Sequence, residues 1–297
     1  MQATTQVLWS VRDYNLAATL CSGQAFRWRW HGGAWEGVVG RNWVRLRQRD
    51  DCLLAETMSP DWAFLTNYLQ TGINLDSIVS TFPDDEPMRK AVSACRGLRL
   101  LRQEPWECLA SFILSSTKQI VQIQQIVALL CARFGEPVTV PPGCEPMFTF
   151  PTPPRLAAVS EQELRACKMG FRAPSLLMAA RMVANAELDL ERLHQLPAAT
   201  AREELLRVRG VGEKIANCVL LFAYGFQDAF PVDVWVKKAL QQLYFSKRRP
   251  NPRRLARFIA THFGPNAGYA QQYLFHYMRM NAARREDRSK RTPSGIS

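Results

Sequence analysis

Metal-binding cysteine spacing is missing from this 297-residue chain. Cys21, Cys52, Cys95, Cys108, Cys131, Cys144, Cys167 and Cys218 are scattered, with no CxxC pair, and the four histidines do not cluster. That argues against a zinc site and against an iron–sulfur cluster. The N-terminus carries no apolar signal core, and no apolar run approaches the length of a membrane span. The expectation is free thiols in a reducing, intracellular compartment. There is no fixed-period repeat, and no low-complexity segment beyond the C-terminal tail. Acidic residues are also in short supply: 26 Asp and Glu against 38 Lys and Arg leave a net charge of +12. Such an excess suggests a polyanionic partner, nucleic acid before membrane, although a merely soluble basic protein has the same charge. Apolar content of 47% is ordinary for a globular chain of one sizeable or two modest domains.

What is present changes character along the chain. Residues 1–58 read as β. Large apolar side chains alternate over Gln24–Trp30, Trp35–Val39 and Trp43–Arg47, glycine-containing turns separate these runs, and Cys52–Thr57 is a further strand candidate. Helical spacing begins at Trp62, Leu65, Tyr68 and Leu69 and returns after Asn74 and over Met88–Cys95. From Trp106 onward the chain is nearly all helix: Glu107–Leu114, Ile120–Phe134, Glu161–Met169, Pro174–Asn185, Leu188–Leu193, Val234–Tyr244, Leu255–Phe263 and Gly268–Met280. A proline-rich connector fills 135–155. The expected fold class is α+β: an N-terminal antiparallel β-sheet domain with flanking helices (1–95), an all-α region (96–283) and a disordered basic tail (284–297).

The stretch that carries chemistry is 205–233. Gly210-Val211-Gly212 joins two apolar helical runs, Leu205, Leu206 and Val208 on one side and Ile215, Ala216, Val219 and Leu220 on the other, so 203–222 reads as a helical hairpin. Two glycines permit a tight turn and leave bare amides at the start of the second helix, which suits a phosphate. Lys214 lies in that helix's first turn, where the positive helix end favours a neutral, nucleophilic amine. Asp233 follows nineteen positions later, behind Pro231 and Val232. Taken alone, the hairpin reads first as an ordinary helical hairpin with a surface lysine or as a non-catalytic DNA-binding module, with Lys214 a phosphate contact; Asp233 after Pro-Val shifts that balance, though it also suits the N-cap of the helix that begins at Val234.

Several stretches together resemble the eukaryotic-type 8-oxoguanine DNA glycosylases of the helix-hairpin-helix superfamily. They are SGQAFRW at 22–28, GLRLLRQEPWEC at 97–108, GVGEKIANC at 210–218, PVD at 231–233 and GYAQQYLF at 268–275, in the family's order. The resemblance implies a bifunctional DNA glycosylase and AP lyase of base-excision repair, acting as a monomer on double-stranded DNA that contains oxidised purines, wherever the cell keeps its DNA. It implies Lys214 as nucleophile and Asp233 as the anion that stabilises positive charge on the sugar. Cys218 and Phe275 would sandwich the extruded base, with Phe222 at its pocket, Gln271 on the Watson–Crick edge and the Gly23 carbonyl on N7–H. Gly210, Val211 and Gly212 would hold a backbone phosphate. Thr117, Phe171 and Arg172 would meet the DNA around the orphaned base. No cofactor is required; a monovalent cation at the carbonyls of Leu206, Val208 and Val211 is implied by the family. Lys237, Lys238, Lys247, Arg248 and Arg249 are candidates for a wider electrostatic footprint. The rival readings are an alkylated-base glycosylase of the same fold, which needs neither Gly23, Gln271 nor the lysine, and the non-catalytic hairpin protein.

The chain departs from the family where the opposite cytosine is read. An Asn-Asn-Asn turn is here Thr117-Lys118-Gln119, a Tyr-Arg pair is Phe171-Arg172, and Gln122 replaces a further arginine. Trp235 stands where a phosphate-binding histidine is usual, and Phe222 where a methionine is common. Phe171 still offers a flat apolar wedge. With fewer donors for cytosine, opposite-base discrimination is expected to be weaker.

Overall fold

A computed structural model describes residues 4–116, 118–246 and 250–291, without the side chains of 284–291. Thr117 and Lys247, Arg248 and Arg249 therefore lie outside the described residues, as do residues 292–297 of the tail.

Five strands, β1 (Thr5–Ser10), β2 (Arg29–His31), β3 (Ala34–Val39), β4 (Asn42–Arg49) and β5 (Cys52–Thr57), form one antiparallel sheet in the order β1-β5-β4-β3-β2. Alternation assigns its faces. Val44, Leu46, Leu53 and Ala55 point to a core completed by Leu16 and Leu20 of helix α1 (Leu16–Cys21) and Leu65 and Leu69 of α2 (Ala63–Leu69). The opposite face carries Trp43 and Val38, covered by Val138 and Met147 from a small hairpin, β6 (Pro137–Val138) and β7 (Met147–Phe148), inside the proline-rich connector. Beside them Arg45 and Arg47 pair with Glu36 and Glu56.

Two expectations here are corrected. Leu16–Cys21 is a helix, capped by the Asn15 side chain on Ala18 N, and not part of a strand. Only the end of Gln24–Trp30 is a strand. Residues 24–28 leave the ladder because the buried Gln24 side chain binds other backbone: it donates to the carbonyls of Thr19 (2.9 Å) and Arg99 (2.8 Å) and accepts from Leu101 N (2.8 Å). Those bonds lash the Ser22–Gln24 corner to the helical part.

The helical part comprises α3 (Leu75–Val79), α4 (Glu86–Ala94), α5 (Pro105–Leu114), α6 (Ile120–Phe134), α7 (Pro153–Ala157), α8 (Glu161–Leu164), α9 (Ala173–Ala184), α10 (Ala198–Leu206), α11 (Glu213–Val219), α12 (Val234–Leu243), α13 (Pro252–His262) and α14 (Ala267–Arg291). Leu75, Phe82, Met88 and Ala91 join its core, so α3 and α4 pack with the helices that follow them in sequence. Helix Glu161–Met169 is shorter than its spacing suggests: after Leu164 the chain widens into a π-helical turn, and Lys168 (φ +63°) and Gly170 (φ +58°) enter left-handed backbone that reverses it. Leu188–Leu193 forms only a 3₁₀ turn at Arg192–Gln195, too short to nucleate an α-helix. The last helix runs to Arg291, eight residues into the segment expected to be disordered. No glycine or proline interrupts 281–291, and alanine and arginine there favour helix.

Candidate active site

Helix α11 begins immediately after the glycine turn and points Lys214 at the C-terminal end of α5. The Lys214 amine donates to Ser115 Oγ at 2.9 Å, and Ser115 in turn donates to the Phe112 carbonyl at 2.7 Å. The same nitrogen lies 5.1 Å from the centre of the Phe112 ring. The amine is therefore held by a relay that ends on backbone and by an aromatic face, two fixed supports. Asp233 caps α12: its carboxylate accepts from Val236 N at 2.8 Å. Burial pushes its pKa above the ordinary 3.8, against the Val236 amide and the Lys214 charge, which pull it down. The cap reading of Asp233 and its place beside the amine hold together in one side chain.

Around this pair the chain closes a narrow slot of about 40 Å³. Lys214, Asp233, Gly23, Cys218, Phe222, Gln271 and Phe275, drawn from four separate parts of the sequence, all line it. The volume admits a few water molecules and no purine, so a base has to part these walls. Phe222 stacks nearly parallel on Phe112, with centroids 5.5 Å apart. Burial pushes the Cys218 thiol up to about 11, with Lys214 opposing, which leaves it protonated at neutral pH. Gln271 is 3% exposed, and its Oε1 has no hydrogen-bond partner. A buried acceptor left open in this way is a ready site for a donor on a bound ligand. Gly23 has φ +78°; a Cβ there would stand 2.7 Å from Ile120 Cδ1 and 3.3 Å from Phe275 Cε1. Gln272, next to Gln271, donates to the Ser22 carbonyl (3.0 Å) and so ties α14 to this corner.

A wider cavity of about 410 Å³ shares Gly23, Phe112, Lys214, Asp233 and Phe275 with the slot and is also lined by Lys118, Gln119, Trp235 and Arg279. Lys238 lies over the Trp235 ring, 5.7 Å from its centre. Gln122 accepts from Gln119 N (3.0 Å) and spends its carbonyl on capping α6.

The hairpin lies beside a second exposed feature. Phe171 is 58% exposed at the tip of the reversed turn, with the Arg172 guanidinium 4.6 Å from its ring centre. Gly210 has φ +85°, and a Cβ there would stand 2.6 Å from Ser175 Oγ and 3.6 Å from Arg172 Nη1, so turn and hairpin touch. The Val211 amide already donates to the Val208 carbonyl (3.0 Å), so it is not one of the bare amides the turn was expected to offer. Gly212, by contrast, begins α11 with no side-chain cap and with open space over its Cα. The amides of the first helical turn there face a free approach for an anion. Among the described residues no group of three or more His, Cys, Asp or Glu is placed to hold a metal ion, and all eight cysteines are free.

Phe112, Ser115 and Arg279 belong to this site without having been picked out from the sequence. Helical spacing predicts core for Phe112. For Ser115, its position at the end of α5 shows only once α5 and α11 are docked.

A sheet domain lashed to a helix-hairpin-helix body, with an amine and a carboxylate in one slot, defines a base-excision DNA glycosylase of the HhH-GPD superfamily. Residues 110–265 match the model of HhH-GPD superfamily base excision DNA repair proteins, and residues 6–109 match that of the 8-oxoguanine DNA glycosylase N-terminal domain. The chain belongs to the 8-oxoguanine DNA glycosylase family and is a bifunctional N-glycosylase and DNA lyase. It is 34% identical to the N-glycosylase/DNA lyase OGG1 of Arabidopsis thaliana over 285 residues, 89% of this chain and 77% of that one. Over 219 residues it is 32% identical to a probable N-glycosylase/DNA lyase of Methanothermobacter thermautotrophicus, covering 67% of this chain and 69% of that one. Among solved structures, MBOgg1 with a low-affinity DNA ligand superposes with a TM-score of 0.89 at 33% identity, over 94% of this chain and 96% of the other. The Clostridium acetobutylicum 8-oxoguanine glycosylase/lyase, bound to duplex DNA with cytosine opposite 8-oxoguanine, gives 0.85 at 29% identity over 93% and 98%.

Proposed function

We propose that this enzyme removes 8-oxoguanine and related oxidised purines from duplex DNA and then cuts the strand at the emptied site. What supports the reading most is that an amine, a carboxylate, a main-chain corner at Gly23 and a glutamine whose Oε1 has no hydrogen-bond partner share one slot. Lys214, as free amine, forms a bond from Nζ to C1′ of the extruded nucleoside. The N-glycosidic bond breaks, its electron pair leaves with the base, and the base takes up a proton released by the newly bonded nitrogen. Asp233 stays anionic and stabilises positive charge on the sugar as that bond lengthens. Opening of the sugar leaves a Schiff base, which acidifies the C2′ hydrogen. Loss of that proton expels the 3′ phosphate, and water then releases Lys214. Cys218 and Phe275 take the two faces of the base, Gln271 its Watson–Crick edge and the Gly23 carbonyl its N7–H. The amides at the start of α11 take a backbone phosphate. A monovalent cation at the carbonyls of Leu206, Val208 and Val211 fits the same scheme, since Val208 keeps a second lone pair beyond the one its Val211 bond uses.

Asp233→Asn separates charge from cap, because asparagine caps helices as well as aspartate does. Excision is expected to fall on the order of 100-fold, with duplex binding and melting temperature preserved. Loss of binding instead would make Asp233 purely structural. The acid limb of the rate profile follows from the direction of its shift. Burial raises the pKa, so the anion is lost as pH falls through a value above that of an ordinary aspartate. The asparagine variant is expected to lack that limb.

A strand-cleavage panel, 8-oxoguanine against each of the four bases, tests substrate and selectivity together. A well-placed bidentate base contact is worth about 1–3 kcal/mol. With Arg172 the one retained arginine, the preference for cytosine is expected to stay within about 10- to 100-fold. No cleavage opposite any base, by protein that still binds an abasic duplex, would end the 8-oxoguanine reading.

A further inference from the structure

Arg279 of α14 lines the wider cavity and forms no ion pair among the described residues. Its guanidinium lies 5.5 Å over the Phe275 ring, and its Nη1 would be 3.5 Å from a Cβ on Gly23, which places it at the edge of the slot. Its hydrogen bond to the Cys21 carbonyl is 3.4 Å long, where charge-assisted bonds run to about 2.7–2.9 Å. No carboxylate among the described residues comes within ion-pairing distance; Asp233 acts on it only across the cavity. Burial lowers its pKa below the ordinary arginine value, the direction expected of a cation that has given up water without gaining a strong partner. Trp235, which lines the same cavity, offers a single N–H and no charge, so among the described residues the cations lining it besides Lys214 are Arg279 and Lys118. A half-buried guanidinium with free donors, stacked on a ring in the cavity that holds Lys214 and Asp233, matches a phosphodiester in charge and in fork geometry.

We propose that Arg279 binds a backbone phosphate next to the extruded nucleotide and so fixes the sugar against Lys214. The assignment rests on reading the cavity as the lesion site. The probe is a duplex carrying a tetrahydrofuran abasic analogue, which reads phosphate contacts without needing the base to be recognised. Arg279→Met, which keeps the packing on Phe275, is expected to weaken binding of this duplex about tenfold and to reduce the slope of log K against log salt by about 0.9, one phosphate's worth. Arg279→Lys is expected to keep the slope. On a duplex with a neutral methylphosphonate at the contacted position, wild type and Arg279→Met are expected to bind alike.

An unchanged salt slope, or an equal loss at every methylphosphonate position, would overturn the assignment. So would a loss confined to 8-oxoguanine duplexes, which would make Arg279 a base reader. If the wild-type enzyme ignores 8-oxoguanine yet Arg279→Met still lowers the slope on the abasic analogue, the substrate reading fails and the phosphate site stands.

Discussion

Lys214→Gln is expected to abolish both reactions: no borohydride-trapped adduct on an abasic or 8-oxoguanine duplex, and base release slowed at least about 1000-fold. The size follows from the chemistry. Glutamine has no nucleophilic lone pair on nitrogen, so neither the bond to C1′ nor the Schiff base can form, and only water remains to attack. The geometry predicts little collateral damage. A glutamine amide can donate to Ser115 Oγ as the amine does at 2.9 Å, and Phe112 keeps its stacking on Phe222. Duplex binding is therefore expected to survive, since the hairpin turn at Gly210–Gly212 is untouched. Lys118 is the other lysine lining the cavity among the described residues. Full trapping by Lys214→Gln would shift the nucleophile there and sink the assignment of Lys214.

What the sequence could convey divides along physical lines. The period-two runs at 35–39 and 43–47 report which face of a strand meets the core, and both lie within strands, as does the further candidate at 52–57. Gln24–Trp30 carries the same alternation and is largely not a strand. Its register is overruled by Gln24, whose side chain satisfies backbone from residues 19, 99 and 101. Nothing local to 24–30 encodes partners that lie about seventy-five residues away. The same holds at Lys168: helical spacing runs through it to Met169, and only the left-handed backbone at Lys168 and Gly170 turns the chain outward to present Phe171.

The candidate site is legible in the sequence to the extent that its members have unusual residue types at fixed offsets. A lysine after Gly-Val-Gly, an aspartate after Pro-Val and a Gln-x-x-x-Phe spacing are all patterns within one element. Phe112, Ser115 and Arg279 enter the site through docking between elements. Phe112 is indistinguishable from its core neighbours in α5, yet it alone bridges Lys214 and Phe222. Arg279 follows Phe275 by one helical turn, so it shares that face, but a basic residue on a basic helix stands out only when its carboxylate partner fails to appear. The Val211 amide is the converse case. A glycine turn suggests free amides in general, and the 3.0 Å bond to Val208 removes this one in particular.

Gly23→Ala is expected to separate base recognition from strand cleavage: excision of 8-oxoguanine should fall about 100-fold while cleavage at a preformed abasic site changes less than about tenfold. The added methyl is disfavoured twice. At φ +78° an L-residue is strained by about 1–2 kcal/mol. The Cβ would also press on Ile120 Cδ1 at 2.7 Å and Phe275 Cε1 at 3.3 Å. Ile120 can yield, being the free end of a flexible side chain at the start of α6. Phe275 moves only with α14, which Gln272 ties to Ser22, and whatever room it gives is the room an incoming base needs. The corner itself must then shift, and with it the carbonyl proposed to accept N7–H. A displacement near 1 Å at a reacting or reading group is worth about 100-fold in rate. An abasic sugar brings no base into the slot, so the lyase step on it depends on Lys214 and Asp233, which the methyl does not reach. Wild-type excision by Gly23→Ala would remove the Gly23 carbonyl from base recognition. An equal loss of both reactions, with a melting temperature lowered beyond the few degrees such strain implies, would mean that Gly23 serves the fold and not the base.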